Sequence, residues 1–231
     1  MAGALTMALL GGALGDWCSA AVRPADGATS PTAATPAAAT PADDPWELLR
    51  RVRERLVTDG AVVADFVQTY VPAGFTSGER ESGRLAMALP TCLRWDYELP
   101  YAKSFLLCGK RAYVWNQGEK SGRLHTVDAD REPGLDLLLL SLEALRQRYR
   151  AGLAGGGEAG RTVTLAPLAQ NGETGPLAHA TLVLDHSGEH LAAVAWSDTE
   201  GNVTRFELSG YRSLAAAPTF TPPAGIEWEQ E

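Results

Sequence analysis

GRLAMALPTCLRWDYELPYAKSFLLCGKRAYVW, residues Gly83–Trp115, is made of four short alternating runs broken at Pro90, Pro100 and Cys108-Gly109. Leu85, Met87 and Leu89, then Leu93, Trp95 and Tyr97, then Phe105 and Leu107, then Tyr113 and Trp115, keep one parity within their runs. Period-2 alternation is the signature of a β-strand with one buried face. Four such runs in succession predict a sheet with an unusually apolar side, which must bury against helices of its own chain or against a hydrophobic ligand.

The turns between the runs add a constraint. Cys92 and Cys108 are equidistant from the break at Pro100, so a hairpin centred there sets them opposite each other. That placement permits a cross-strand disulfide in an oxidising compartment. Two half-buried free thiols are the other reading of the same pair.

Upstream, Asp44-Pro45-Trp46-Glu47 has the form of a helix start: an acidic N-cap, proline at the first helical position and glutamate at the third. Leu49, Val52 and Leu56 recur on one face of the predicted helix, arginines occupy the other, and Asp59-Gly60 ends it. A second helical pattern covers about residues 134–149, with seven leucines in the eleven residues from Leu135 to Leu145, and glycines 152–160 are expected to break it. Strand patterns resume at 161–166, 177–185, 190–197 and 203–209, with turns at Ser187-Gly188 and Glu200-Gly201. The order predicts an α+β fold, an antiparallel sheet with two inserted helices.

The chain has 231 residues, 45% of them hydrophobic, enough for one folded domain of ordinary size. Residues 4–14, ALTMALLGGAL, have the length of a signal-peptide core, and residues 1–21 are assigned to a signal peptide. Acylation of Cys18, as in a lipoprotein, is the alternative. Residues 22–43 form an Ala/Pro/Thr tract too poor in large apolar side chains to fold, and are assigned to a disordered linker. The folded domain is assigned to residues 44–231.

A net charge of -8, with no basic block beyond Arg50–Arg55, argues against a nucleic-acid surface. GGGEAG at 155–160 matches a dinucleotide fingerprint in form, but it follows a helix and leads into a strand, the reverse of the required context. His186 and His190 flank a turn, so helical metal-ligand spacing is not available to them, and His125 and His179 have no ligand-spaced neighbour. No nucleophile elbow occurs, and nothing pairs Asp65, Glu98, Asp128 or Asp136 in an apolar pocket. The sequence therefore supports no catalytic, metal or cofactor site, and points to binding.

ADFVQTY at 64–70, LAMALP at 85–90, CLRWDYELP at 92–100, LLCGKRAYVWN at 106–116, the Leu-rich helix ending at Tyr149, DTEGNVTRFELSGY at 198–211 and FTPPAGIEW at 220–228 occur in that order. Together, over about residues 46–231, they resemble the outer-membrane lipoprotein carrier family. The resemblance implies an incomplete, strongly curved antiparallel barrel whose concave apolar face is closed by two lid helices. It implies a periplasmic, monomeric carrier whose partners are acylated lipoproteins, an inner-membrane exporter and an outer-membrane acceptor. Other readings of the same fold are an acceptor anchored through Cys18, a carrier of another lipid and a regulatory periplasmic binding module.

Carried over by position, the expected cavity lining is Phe66, Leu85, Met87, Leu89, Leu93, Trp95, Tyr97, Phe105, Leu107 and Trp115. The expected lid contacts are Leu49, Val52, Leu56, Leu139 and Leu142. Cys92 and Cys108 fall on the outer face. One departure stands out: the family commonly places an arginine before the proline matched by Pro90, and here that position is Leu89. Arg94 has the opposite parity to Trp95 and is not expected to replace it, so lid closure is expected to rest on apolar packing.

Overall fold

The computed structural model describes residues 44–127, 137, 142–157, 160–168, 177–213 and 220–230. The expected signal peptide, the linker and the lid residue Leu139 lie outside the described residues.

Helix α1 (Pro45–Thr58) starts as its sequence dictates: the Asp44 carboxylate accepts a hydrogen bond from the Trp46 amide, and Pro45 occupies the first turn. Glu47 is engaged by the guanidinium of Arg50. The helix buries Leu48, Leu49, Val52 and Leu56. After the Asp59-Gly60-Ala61 joint, where Gly60 has φ +72°, the chain enters the sheet.

The strands are β1 (Val62–Val71), β2 (Glu79–Ala88), β3 (Cys92–Leu99), β4 (Lys103–Cys108), β5 (Arg111–Asn116), β6 (Ser121–Thr126), β7 (Tyr149–Gly157), β8 (Gly160–Pro167), β9 (Leu177–Leu184), β10 (Leu191–Asp198), β11 (Val203–Ser213) and β12 (Glu227–Gln230). They pair in the order β12-β6-β5-β4-β3-β2-β1-β11-β10-β9-β8-β7. The result is one open, curved sheet, antiparallel except where β12 lies parallel to β6. Helix α2 (Leu142–Arg148) precedes β7, and Arg146 lies over the ring of Trp46 in α1 at 5.7 Å.

Two features depart from the sequence pattern. The glycine-rich stretch after the second helix continues as edge strand β7, paired with β8 from Tyr149↔Pro167 to Gly157↔Gly160. Glycine lowers strand propensity, but a backbone ladder needs no side chains. Second, Tyr113 and Trp115 lie on the side of the sheet opposite Trp95. The two-residue turn at Gly109-Lys110 pairs Leu107 with Ala112 and Phe105 with Val114, so the parity that faces the concave side switches from odd in β4 to even in β5. Trp115 is therefore not part of the concave lining. Its neighbours are Ser104, opposite it in β4, and the ring of Trp228 at 6.1 Å.

Trp228, on β12, also meets Tyr113 at 5.1 Å, and it covers Gly122 so closely that a Cβ there would fall 2.6 Å from the indole. Arg94 stacks over Trp115 at 5.5 Å. With Leu106 fully buried beneath them, these residues make a second, smaller core on the convex side of β3–β6. The Cys92–Cys108 disulfide is formed on the same side, between directly opposed residues.

Candidate functional site: the concave face

Registers across the sheet define the concave surface. Leu93, Trp95 and Tyr97 of β3 stand beside Met87, Leu85 and Gly83 of β2, and opposite Leu107, Phe105 and Lys103 of β4. Met87, Leu85 and Gly83 in turn pair with Val62, Ala64 and Phe66 of β1. Further round lie Leu208 and Phe206 of β11, Val194 and Trp196 of β10, Leu182 and Ala180 of β9, and Val163 and Leu165 of β8. Leu48, Leu49, Val52 and Leu56 of α1, with Leu137 and Leu145, join these side chains in one apolar cluster. Trp95 is 9% exposed beneath that cover.

The structure thus brings together Phe66, Leu85, Met87, Leu89, Leu93, Trp95, Tyr97 and Leu107 with Leu49, Val52 and Leu56, and packs Phe105 and Leu142 against them partly buried. Leu89, at the position where the resemblance would place an arginine, is buried in the same cluster and adds aliphatic contact. A polar tie to the helical cover comes instead from α1 itself. Arg53 Nη1 donates to the carbonyl of Leu137 at 3.2 Å, and burial lowers the pKa of this guanidinium from the usual arginine value. No pattern in the sequence marked Arg53, because its hydrophobic neighbours placed it with the solvent-facing arginines.

A row of rings crosses the concave face. Phe105 lies 5.6 Å from Tyr97, Tyr97 4.9 Å from Phe66, Phe66 5.7 Å from Phe206, and Phe206 5.7 Å from Trp196. Tyr97 and Phe66 belong to β3 and β1, and meet edge to face above Gly83 of the intervening β2. A Cβ at Gly83 would lie 2.0 Å from the carbonyl oxygen of Asp96, so the backbone approach requires glycine.

One step further towards the Pro100 end, the lining becomes polar. The Tyr97 hydroxyl donates to Gln68 Oε1, and Lys103 Nζ binds Glu81 Oε1 at 2.7 Å while sitting 4.6 Å from the centre of the Tyr97 ring. Burial, followed by the charge of Glu81, raises the Tyr97 pKa well above the ordinary phenol value. The belt Lys103–Tyr97–Glu81–Gln68 spans β4 to β1. Sequence reading missed it, since its polar members interrupt the alternation at strand ends, where turn residues are expected.

Among the described residues no group of His, Cys, Asp and Glu side chains could hold a metal ion, and no helix is long and apolar enough to cross a membrane. His179 Nδ1 is paired with Ser197 Oγ at 2.7 Å, and His190 Nδ1 lies 3.4 Å from Asp185.

Residues 59–221 match the model of the family described as outer membrane lipoprotein carrier protein LolA. The chain is 28% identical over 168 residues to a protein of Chromobacterium violaceum named outer-membrane lipoprotein carrier protein, covering 71% of this chain and 78% of the relative. It is 24% identical over 167 residues to a protein of the same name from Xanthomonas oryzae pv. oryzae, covering 70% and 78%. Among solved structures, a LolA superfamily protein of Nitrosomonas europaea aligns with TM-score 0.43 and 8% identity, over 77% of this chain and 97% of the other. The matched segment begins just after α1 and takes in the whole of the Gly83–Trp115 stretch; by that match the chain belongs to the outer membrane lipoprotein carrier family, a family of binding proteins and not of enzymes.

Proposed function

We propose that the protein is a periplasmic carrier that holds the acyl chains of lipoproteins against its concave face and ferries them from an inner-membrane exporter to an outer-membrane acceptor. The observation that carries this reading is the continuous apolar surface from β4 to β8, covered by α1 on its glycine joint together with Leu137 and Leu145. The names of the relatives support the choice of cargo.

The energetics favour exchange over permanent closure. Lifting α1 exposes Leu48, Leu49, Val52 and Leu56; at about 1.5–3 kcal/mol each, that costs roughly 6–12 kcal/mol as an upper estimate. An acyl chain of about sixteen carbons returns roughly 0.8 kcal/mol per methylene, on the order of 12 kcal/mol, when it takes the vacated surface. Cargo and lid are therefore close competitors, and handover needs no chemical energy at this site.

The test is release of newly made lipoproteins from exporter-containing spheroplasts into solution by the purified exported protein. The expected result is a soluble one-to-one complex, with Trp95→Glu failing to form it. Recovery of the protein without acylated cargo, under conditions where a known carrier extracts it, overturns the reading.

A further inference from the structure

The far end of the concave face carries a charge arrangement that an acyl groove does not need for holding hydrocarbon. Glu79 and Glu81 alternate on the concave side of β2, opposite Tyr70 and Gln68 of β1. Among the described residues, Lys103 is the one cation of β1–β4 at this level on that side. Arg80 and Arg205 are both partners of Thr69, and this register puts them on the convex side. Lys103 is not free to greet an anion. Its ammonium is 2.7 Å from Glu81 and lies over the Tyr97 ring, and the two side chains are 29% and 19% exposed. Among the described residues of this end of β1–β4, one positive and two negative groups face the concave side, and the charge of Glu81 reaches the Tyr97 phenol.

Hydrocarbon lying along the row Phe105–Tyr97–Phe66–Phe206 would bring its head group to this belt. An acylated cysteine presents ester and amide carbonyls there without a phosphate. A phospholipid of the same chain length presents a phosphate, which meets a lysine already held by Glu81 and, two residues along β2, the carboxylate of Glu79. Building repulsion against the abundant wrong ligand is a common route to specificity, and like charges in a half-buried site interact more strongly than in bulk water.

Resting on the carrier reading above, we propose that the Glu81–Lys103 pair is a head-group filter that admits acyl-glyceryl cysteine and rejects anionic phospholipid. The filter is tested by displacement of a fluorescent fatty acid from the full exported chain, using a synthetic tripalmitoyl-cysteinyl peptide and dipalmitoyl phosphatidylglycerol. Wild type is expected to favour the lipopeptide. Glu81→Gln is expected to tighten phosphatidylglycerol binding about tenfold and to leave the lipopeptide within about twofold, a difference of the size that one removed charge contact produces. A measurement on the unaltered protein guards against misfolding of the variant: raising salt to about 1 M, where screening acts within about 3 Å, narrows the preference. Equal effects of Glu81→Gln on both ligands, or a preference indifferent to salt, overturn the filter. Failure of wild type to bind either ligand is a different result and overturns the carrier reading itself.

Discussion

A methyl group added at residue 83 tests the concave face at its most crowded point. Gly83→Ala sets a Cβ against the Asp96 carbonyl, so β2 and β3 must separate beneath the Phe66–Tyr97 contact. The expected loss is about 2–4 kcal/mol, read as a lowered denaturation midpoint with an unchanged slope. The two tryptophans of the quoted stretch separate the functions of the two faces. Trp95→Ala and Trp115→Ala each remove a nearly buried indole and are each expected to cost about 3–5 kcal/mol. Their effects on binding differ: at 20 °C and with both variants folded, Trp95→Ala loses acyl-ligand affinity, while Trp115→Ala retains it. Equal losses in ligand titrations would place both on one surface, against the observed register.

At the scale of elements, the hairpin geometry explains what could be read in advance. The break at Pro100 leaves an odd-numbered loop between Tyr97 and Lys103, so parity carries across and β3 and β4 were legible, down to the opposition of Cys92 and Cys108. The turn at Gly109-Lys110 is even, parity inverts, and the pattern of apolar residues in β5 is served by a different core. Alternation alone does not say which side of a sheet a strand addresses; turn length does. Strand β12 was also hidden, because four residues of Glu-Trp-Glu-Gln character acquire meaning only when Trp228 finds Gly122. Strand β7 was hidden by its glycines. The disulfide ties β3 to β4 across a separation of 16 residues, for which loop-closure entropy gives about 3 kcal/mol. Reduction, or Cys92→Ser with Cys108→Ser, is expected to lower the urea midpoint accordingly while leaving acyl binding in place. Arg53→Met removes the hydrogen bond to Leu137 and is expected to loosen the helical cover, seen as faster amide exchange in α1 than in β1.

For the whole molecule, two tyrosines set the alkaline limit. Burial comes first among the causes that raise the pKa values of both Tyr97 and Tyr211; Glu81 adds to it at Tyr97, and Asp185 at Tyr211, whose hydroxyl donates to the Leu191 carbonyl. In the unfolded chain both ionise near pH 10, so above that value the unfolded state sheds protons that the folded state retains. Their contribution to stability is complete below pH 10 and declines as pH rises towards the folded values. The expected result is a falling melting temperature above pH 10, made less steep in Tyr211→Phe. The convex core under Trp228 has a mechanical consequence at this scale. Strands β3–β6 carry large apolar side chains on both sides, whereas the convex side of β9 and β10 is made of His179, Thr181, Val183, Ala193, Ala195 and Ser197, of which Ala193 and Ser197 are buried. With α1 lifted, β3–β6 still bury Trp115 and Leu106 on their other side, so this part of the wall keeps apolar packing of its own. That half of the sheet is therefore expected to hold its curvature while the helical cover exchanges with a ligand, seen as slower amide exchange in β3–β5 than in α1.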